Sequence, residues 1–310
     1  MVMWPDIFVA EFFHFVDNIL IILISSMLFV EQNMIRFFVV VSAFFIIFWS
    51  HVSFAGYSKP VRLGSVAMDT PAVMHKRLLP LTEYLSEFLQ RPVVLKLSPN
   101  MPAAINEVAS GAVELAYLTP VAYIRSYEKG NTQLIAKTIT KKKTSFQLMI
   151  VVRKDSPLKT VEDLIGKTVA FGDRAALLQR AALVSSGIQM EQLGSYAFLG
   201  HYDNVIRAVM HGYYDAGILK DTMAYKWENK GTRILYASPD LPPYNIAASK
   251  NVDMKLLARL KQAFLDLDPN DPKHYTIIKS LDKKYDGFAP VSDDEYDVVR
   301  RLIEPFKNEK

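Results

Sequence analysis

The chain has 310 residues, half of them hydrophobic, a net charge of +4 and no cysteine. This length allows one or two domains with a sizeable core. The absence of cysteine excludes disulfides, a thiolate nucleophile, a cysteine-ligated metal and a lipoprotein anchor. The six histidines are scattered, with no pair at a metal-ligand spacing, so we predict neither a metal site nor a cofactor.

The first 55 residues are more apolar than a globular domain usually is. Ile19–Val30 and Phe37–Trp49 are nearly uninterrupted apolar runs, each shorter than the roughly 20 residues that span a membrane. The second run follows the basic residue Arg36 and precedes the small residues Ser53 and Ala55. This is the three-part layout of a secretory signal peptide.

We therefore predict a signal peptide at 34–55, preceded at 1–33 by a leader extension or a mis-called start, and a mature protein exported to the periplasm. A membrane anchor that stays attached is the alternative. Residues 1–55 hold one basic and four acidic residues, so their removal raises the net charge from +4 to +7. Such a charge suits an anionic ligand and is also an ordinary surface balance.

Beyond residue 55, short apolar runs alternate with segments at helical spacing. The predicted strands are Pro60–Val66, Pro92–Leu97, Glu114–Leu118, Phe146–Val152, Thr168–Phe171 and Ile234–Ala237. The predicted helices include His75–Gln90, which Pro80 would bend or restart, Arg174–Ser186, and a helical region from Met254 to Lys310. This alternation predicts an α/β fold with parallel sheets and helices on both faces.

Two stretches about a hundred residues apart resemble each other. They are AAINEVASGAVELAYLTP at 103–120 and HYDNVIRAVMHGYYDAGILKD at 201–221. With an offset of 101, Gly111 matches Gly212 and Glu114 matches Asp215. Each stretch has the pattern of a short helix, a glycine, an acidic residue and an apolar strand. The repeat indicates either two similar lobes or the chance recurrence of a common α/β pattern.

In open α/β sheets, ligands bind at the carboxyl ends of strands, beside the N-termini of helices. This rule selects the loops after the predicted strands and the start of the second repeated helix. The candidate ligand-binding residues are Met68, Asp69, Thr70, Thr119, Pro120, Tyr123, Asp173, Arg174, Ala175, Ala176, His201, Tyr202, Lys220 and Asp221.

Each candidate also has a purely structural interpretation. Asp173 and Arg174 form either an anion cradle with a guanidinium donor or a helix cap beside a solvated charge. Tyr123 either leans into the cleft or packs in the core. Lys220 and Asp221 either bind a ligand or pair with each other.

Six segments follow one another in a specific order: RLGSV, PLTEYL, AAINEVASGAVELAYLTPVAY, VVRKDSPLKTVEDLIGKTVAFGD, HYDNVIRAVMHGYYDAGIL and KKYDGFAPVSDDEYDVVRRL. Together they resemble the periplasmic substrate-binding component of phosphate, phosphite and phosphonate ABC transporters. The resemblance implies a two-lobed type 2 periplasmic-binding-protein fold, each lobe a mostly parallel sheet flanked by helices, with a two-segment hinge. Lobe 1 would comprise 56–145 plus 235–310, and lobe 2 would comprise 146–234.

The resemblance further implies a monomeric solute-binding protein of an ABC importer, with no enzymatic activity and no nucleic-acid partner. A small oxyanion would be held between the lobes and passed to a permease in the inner membrane. The family's Ser/Thr-rich anion turn corresponds here to 174–178, which lacks hydroxyls, and the family's histidine position holds Tyr202. Either Arg174 replaces hydroxyl donors by charge or the ligand is different. A membrane-anchored sensor of the same ligand class is the alternative function.

Overall fold

The computed structural model describes residues 59–65, 70–173 and 177–307. The predicted leader and signal peptide, residues 1–55, lie outside these ranges, so their assignment stays a prediction. Within these ranges, no helix is both long and apolar enough to cross a membrane. The described residues form two β-sheets, each with helices packed against it, which is the α/β architecture expected from the sequence.

The chain alternates strands with helices over most of its length. The strands are β1 Val61–Ser65, β2 Val93–Leu97, β3 Leu115–Leu118, β4 Gln133–Thr140, β5 Leu148–Arg153, β6 Thr168–Phe171, β7 Ser195–Phe198, β8 Ala216–Lys220, β9 Thr232–Ala237, β10 Asn245–Ala248 and β11 Tyr285–Ala289. The helices are α1 Pro71–Leu89, α2 Met101–Ser110, α3 Pro120–Gly130, α4 Leu177–Ser185, α5 Tyr202–Met210, α6 Asp221–Trp227, α7 Met254–Leu265, α8 Pro272–Leu281 and α9 Asp297–Ile303. Single 3-10 turns lie at Glu162–Leu164, Met190–Gln192, Asp293–Tyr296 and Glu304–Phe306.

The two sheets share one strand arrangement. The first has the order β2-β1-β3-β10-β4-β11, and the second has the order β7-β6-β8-β5-β9. In each sheet one strand, β1 or β6, pairs in parallel with both neighbours, and the fourth strand of the order, β10 or β5, runs antiparallel to both of its neighbours. The first sheet has β11 as an additional edge strand. The sheets are therefore mixed, because β5 and β10 each enter directly from the other sheet.

Two chain segments, 141–147 and 238–244, connect the sheets and are called the crossing segments here. They pair with each other, since the Phe146 N–H donates to the Leu241 carbonyl at 2.9 Å and the Leu241 N–H donates back at 2.8 Å. Strand β9 belongs to the second sheet and ends at Ala237, three residues after the predicted end of lobe 2. The exact lobe boundaries stay a prediction.

The repeated stretches form the same unit in both sheets, as α2–β3 in the first and α5–β8 in the second. The N–H of Gly111 donates to the Val108 carbonyl, and 101 residues later the N–H of Gly212 donates to that of Val209. Both glycines have positive φ, 81° and 72°, which end the helices in a conformation that glycine adopts without strain. Of the two alternatives, this geometry favours a repeated structural unit.

The acidic residue of each repeat binds the neighbouring parallel strand of its own sheet, β1 or β6. The Glu114 carboxylate accepts the backbone N–H of Arg62 at 2.7 Å and its guanidinium at 2.6 and 2.9 Å. The Asp215 carboxylate accepts the backbone N–H of Thr168 at 2.8 Å and its hydroxyl at 2.9 Å. Residues 62 and 168 lie near the starts of β1 and β6, so one acid fixes β3 beside β1 and the other fixes β8 beside β6.

The last described residues, 293–306, are called the C-terminal segment and contact both sheets' helices. Helix α9 packs against α3 of the first sheet and α4 of the second. Val299, Leu302 and Phe306 are buried in one hydrophobic cluster that also contains Val121 of α3 and Ala181 of α4. The apolar core is therefore continuous from one sheet to the other.

Two sequence-based predictions about helices need correction. Helix α1 begins at Pro71 and runs unbroken through Pro80, because buried leucines on either side of the proline, Leu78 and Leu81, pack it against the sheet. The region after Met254 is not wholly helical, since β11 forms the edge strand beside β4.

Candidate functional site

Lys220 is the last residue of β8 and directly precedes α6. The residue is partly buried, and its ammonium lies 4.6 Å from the centre of the Phe146 ring. Burial lowers the pKa of Lys220, although the nearby carboxylates of Asp221 and Asp282 act in the opposite direction. Within the described residues, no carboxylate lies within ion-pair distance of this ammonium.

Asp221 does not form a direct ion pair with Lys220. It is buried, with 4% of its surface exposed, and its carboxylate accepts the N–H of Thr222 at 2.6 Å. Its own N–H donates to the carbonyl of Gln147, so the start of α6 is fixed to the crossing segment at residue 147. The site therefore keeps a positive charge that its sequence neighbour does not neutralise by contact.

Tyr202 begins α5 and lies beside the loop that follows β6. A methyl group on Gly172 would approach Cε1 of the Tyr202 ring to 3.4 Å. Burial raises the pKa of the Tyr202 hydroxyl, with further contributions from Tyr244, Asp221 and Asp173. Tyr202 therefore faces groups beside the second sheet and in a crossing segment, whereas its neighbour His201 is exposed and makes no side-chain cap for α5.

The loop after β6 is held from within the second sheet. The N–H of Gly172 donates to the side-chain carbonyl of Gln179 at 2.7 Å, and Gln179 is only 3% exposed. This backbone N–H is therefore already bound by the protein. Asp173 follows it at the surface, close enough to influence the hydroxyls of Tyr202 and Tyr244.

Three further tyrosines, two in strands of the first sheet and one in a crossing segment, extend the site and are not among the sequence-based candidates. Tyr117 of β3 stacks on Tyr244 of the crossing segment, with ring centres 5.4 Å apart and planes at 26°. The hydroxyls of Tyr117 and Tyr285 of β11 lie 2.5 Å apart. We call Tyr117, Tyr202, Tyr244 and Tyr285 the tyrosine row.

The tyrosine row is protonated at neutral pH. Burial is the largest cause of the raised pKa of each of the four hydroxyls, and nearby tyrosines or carboxylates add to it. Asp282 influences Tyr117, Tyr244 and Tyr285, so the segment that links α8 to β11 also faces the row. The row therefore offers hydroxyl groups, not phenolates.

The residues after β3 are structural. Thr119 caps α3, because its hydroxyl oxygen accepts the N–H of Ala122 at 3.2 Å, and Pro120 is the buried first residue of that helix. Tyr123 is 1% exposed, donates its hydroxyl to Asp293 at 2.5 Å and packs edge-on against Tyr296. Tyr123 therefore belongs to the core, the second of its two sequence-based interpretations.

The remaining predicted site residues cannot be placed in the cleft. Thr70 precedes α1, where its carbonyl accepts the N–H of Met74. Met68, Asp69, Arg174, Ala175 and Ala176 lie outside the described residues. Across the described ranges, no group of three or more histidine, aspartate or glutamate side chains has the arrangement of a metal site.

Comparisons with known proteins give a consistent result for residues 59–307. The family model of the periplasmic substrate-binding protein of phosphonate ABC transporters matches residues 63–296. The phosphate-import protein PhnD of Mycolicibacterium smegmatis is 22% identical over 284 residues, which cover 82% of this chain and 88% of that protein.

Two solved structures share the fold. XAC2383 from Xanthomonas citri, bound to a chloride ion, has a TM-score of 0.66 at 20% identity and covers 80% of this chain and 100% of its own. PhnD1 from Prochlorococcus marinus, in complex with methylphosphonate, has a TM-score of 0.63 at 20% identity and covers 80% of this chain and 98% of its own. Both similarities support the two-lobed architecture predicted from the sequence.

Proposed function

We propose that this chain, which belongs to the periplasmic substrate-binding proteins of phosphonate ABC transporters, captures a small oxyanion between its two sheets and delivers it to an inner-membrane permease. The observation that carries the proposal is the partly buried ammonium of Lys220 at the carboxyl end of β8, which lies in contact with an aromatic ring and with no carboxylate among the described residues. A partly buried charge with no carboxylate in contact is costly, and an anionic ligand would offset that cost.

The tyrosine row supplies the hydrogen-bond donors that the loop after β6 lacks. An oxyanion such as phosphate, phosphite or a phosphonate needs several donors around it. Protonated hydroxyls at the start of α5 and in a crossing segment, at Tyr202 and Tyr244, are suited to that task. Arg174, predicted to replace the missing Ser/Thr hydroxyls by charge, would add a bidentate donor from the second sheet.

The carboxylates near the site restrict the ligand further. Asp173, Asp221 and Asp282 all influence the tyrosine row or Lys220. A carboxylate accepts hydrogen bonds, so these groups suit a protonated ligand oxygen or an ammonium substituent and disfavour a fully ionised phosphate. The expected chemistry is binding without catalysis, since the row and Lys220 place no nucleophile beside a base.

Ligand-induced stabilisation tests the proposal. Residues 56–310 would be melted with phosphate, phosphite, methylphosphonate, 2-aminoethylphosphonate or sulfate. A ligand present at about 100 times its dissociation constant adds roughly 2.7 kcal/mol, which raises the melting temperature by several degrees. We expect one phosphorus oxyanion to give that shift. The absence of a shift with every phosphorus oxyanion would contradict the proposed ligand class.

The predicted export route has its own test. The family is periplasmic, and we propose that residues 34–55 direct this chain there and are then removed. N-terminal sequencing of the protein recovered from a periplasmic extract should begin near Gly56. Recovery of the uncleaved chain in the membrane fraction would instead support the anchored alternative.

A further inference from the structure

Phe146 lies in a crossing segment and places its aromatic ring against the Lys220 ammonium, 4.6 Å from the ring centre. Such an arrangement stabilises a cation through the negative face of the ring, and more strongly where water is excluded. The sequence indicates only a strand residue at this position. Its contact with the candidate ligand-binding charge emerges only in three dimensions.

The position of Phe146 is fixed by backbone bonds on both sides. Its N–H and carbonyl bind Leu241 of the other crossing segment, at 2.9 and 2.8 Å. The next residue, Gln147, accepts the N–H of Asp221, and Leu148 pairs with Lys220 between β5 and β8. The ring is therefore held beside the start of α6 by the sheet itself.

We propose that Phe146 is a positioning residue that holds the Lys220 side chain, charged, at the site where the anion binds. The role rests on the proposed function, because it assigns Lys220 to the ligand. Phe146 would act through Lys220 and need not touch the anion. The ligand is the class of anion proposed above. The inference adds that the Phe146 ring keeps the positive charge of Lys220 in place for that anion.

The other groups around Lys220 do not replace the ring. Asp221 on α6 and Asp282 after α8 favour the charged form at longer range, while Lys284, before β11, opposes it. None of them is in ion-pair contact with the ammonium. Among the described residues, the Phe146 ring is thus the close favourable partner of this cation. Its removal should lower the pH at which Lys220 loses its charge.

The test compares Phe146→Leu, which keeps an apolar side chain, with Phe146→Tyr, which keeps the aromatic ring. The ¹³C resonance of the Lys220 ε-carbon, assigned from its loss in Lys220→Arg, would be followed against pH in the full chain without ligand. We expect the midpoint to fall by about half a pH unit in Phe146→Leu, because the ring no longer stabilises the cation. The midpoint should stay unchanged in Phe146→Tyr.

A matched control removes a second ring–lysine contact, between the same helix and the same crossing segment, that does not involve Lys220. Tyr225 lies 5.8 Å from Lys143 and is half exposed on α6. Tyr225→Leu should not change the pH midpoint of the Lys220 titration. A midpoint in Phe146→Leu equal to that of the wild-type chain would overturn the positioning role, whatever the ligand.

Binding of methylphosphonate and phosphate completes the test. In Phe146→Leu, affinity should fall about threefold or more, and the loss of binding at alkaline pH should begin at a lower pH than in the wild-type chain. In Phe146→Tyr, the affinity and the pH at which binding is lost should both equal those of the wild-type chain. If no oxyanion binds the wild-type chain while the Lys220 midpoint still moves, the proposed function is wrong and the ring–lysine contact is supported. If oxyanions bind and Phe146→Leu changes neither midpoint nor affinity, the positioning role is wrong.

Discussion

The two repeated units have the same scaffold, but the residue at the end of the strand has a different role in each. With the offset of 101, Thr119 in the first unit corresponds to Lys220 in the second. Thr119 caps α3, and the helix behind it buries Tyr123 against the C-terminal segment. Lys220 instead presents a partly buried charge at the start of α6. The same strand end therefore serves packing in one sheet and the candidate site in the other.

This difference separates the residues that build the unit from those that give it a function. The glycine and the acid occur in both copies and make equivalent bonds, through Gly111 and Gly212 and through Glu114 and Asp215. The residue at the strand end is free to vary, since no bond of the shared scaffold depends on it. Substitutions at matched positions can test this separation.

The largest expected effect comes from the strand-end pair. Lys220→Met should weaken oxyanion binding by roughly 10- to 100-fold, because a hydrogen-bonded charge is worth about 1.5–3 kcal/mol. Thr119→Val should leave affinity unchanged and cost about 1 kcal/mol of stability through loss of the cap. Calorimetric titration and chemical unfolding would separate the two effects.

The exposed lysine on the same helix is the control for this pair. Lys226→Met should alter neither affinity nor stability beyond about 0.5 kcal/mol. Equal loss of affinity in Lys220→Met and Thr119→Val would mean that both strand ends bind the ligand, and the contrast drawn here would fail.

A second pair probes how closely each helix approaches its strand. The first unit has Ala116 where the second has Gly217. A methyl group on Gly217 would lie 2.6 Å from Cγ1 of Val205 and 2.9 Å from Cγ2 of Val209. Gly217→Ala should therefore cost about 1–3 kcal/mol by overpacking.

The matched variant in the first sheet is Ala116→Gly. It removes a buried methyl and should cost about 1 kcal/mol. Urea unfolding would compare the two. Gly217→Ala at wild-type stability would show that α5 can shift away from β8 without cost.

The smallest effect concerns Glu114, the acid of the first unit, and depends on pH. Burial alone would raise the pKa of Glu114, but the hydrogen bonds and charge of Arg62 outweigh it and lower the pKa. The stabilisation is therefore present above the unfolded-state pKa and is lost as pH falls through the folded-state value. Because both side chains are partly exposed, Glu114→Gln should cost only about 0.5–1 kcal/mol at pH 7.

Unfolding of Glu114→Gln and the wild-type chain would be measured at neutral pH and again in acid. The difference in free energy of unfolding should shrink in acid, where the wild-type carboxylate is also neutral. A difference that is constant with pH would assign the effect to shape, not charge.

The sequence predicts the scaffold better than the edges of the sheets. The strand at Thr168–Phe171 has the predicted bounds because its run of four residues is apolar between turns. By contrast, the apolar pattern does not identify β4, because this strand contains Lys137, a buried charge that pairs with Glu295 from the C-terminal segment. The pattern does not identify β11 either, because Asp286 and Gly287 interrupt the apolar residues of this strand. Such strands depend on partners distant in sequence.

The candidate site follows the same division. The strand-end rule finds Tyr202 and Lys220 because they lie where helices begin. It misses Tyr117 and Tyr285, which lie within strands, and Tyr244, which lies in a crossing segment. These tyrosines come together because β10 pairs with β3 and so brings residue 244 beside β3. Local sequence patterns do not encode such a long-range pairing.

The two sheets also differ in when they can be completed as the chain emerges from its N-terminus. The second sheet uses one continuous stretch, 148–237, whereas the first needs β10 to lie between β3 and β4 and β11 to pair with the other edge of β4. Until residue 248 is available, β3 and β4 each have an unpaired edge, and exposed edges favour association with other chains. A chain interrupted after β9 would thus have one finished sheet and one split in two. We expect such fragments to aggregate through the N-terminal half of the molecule.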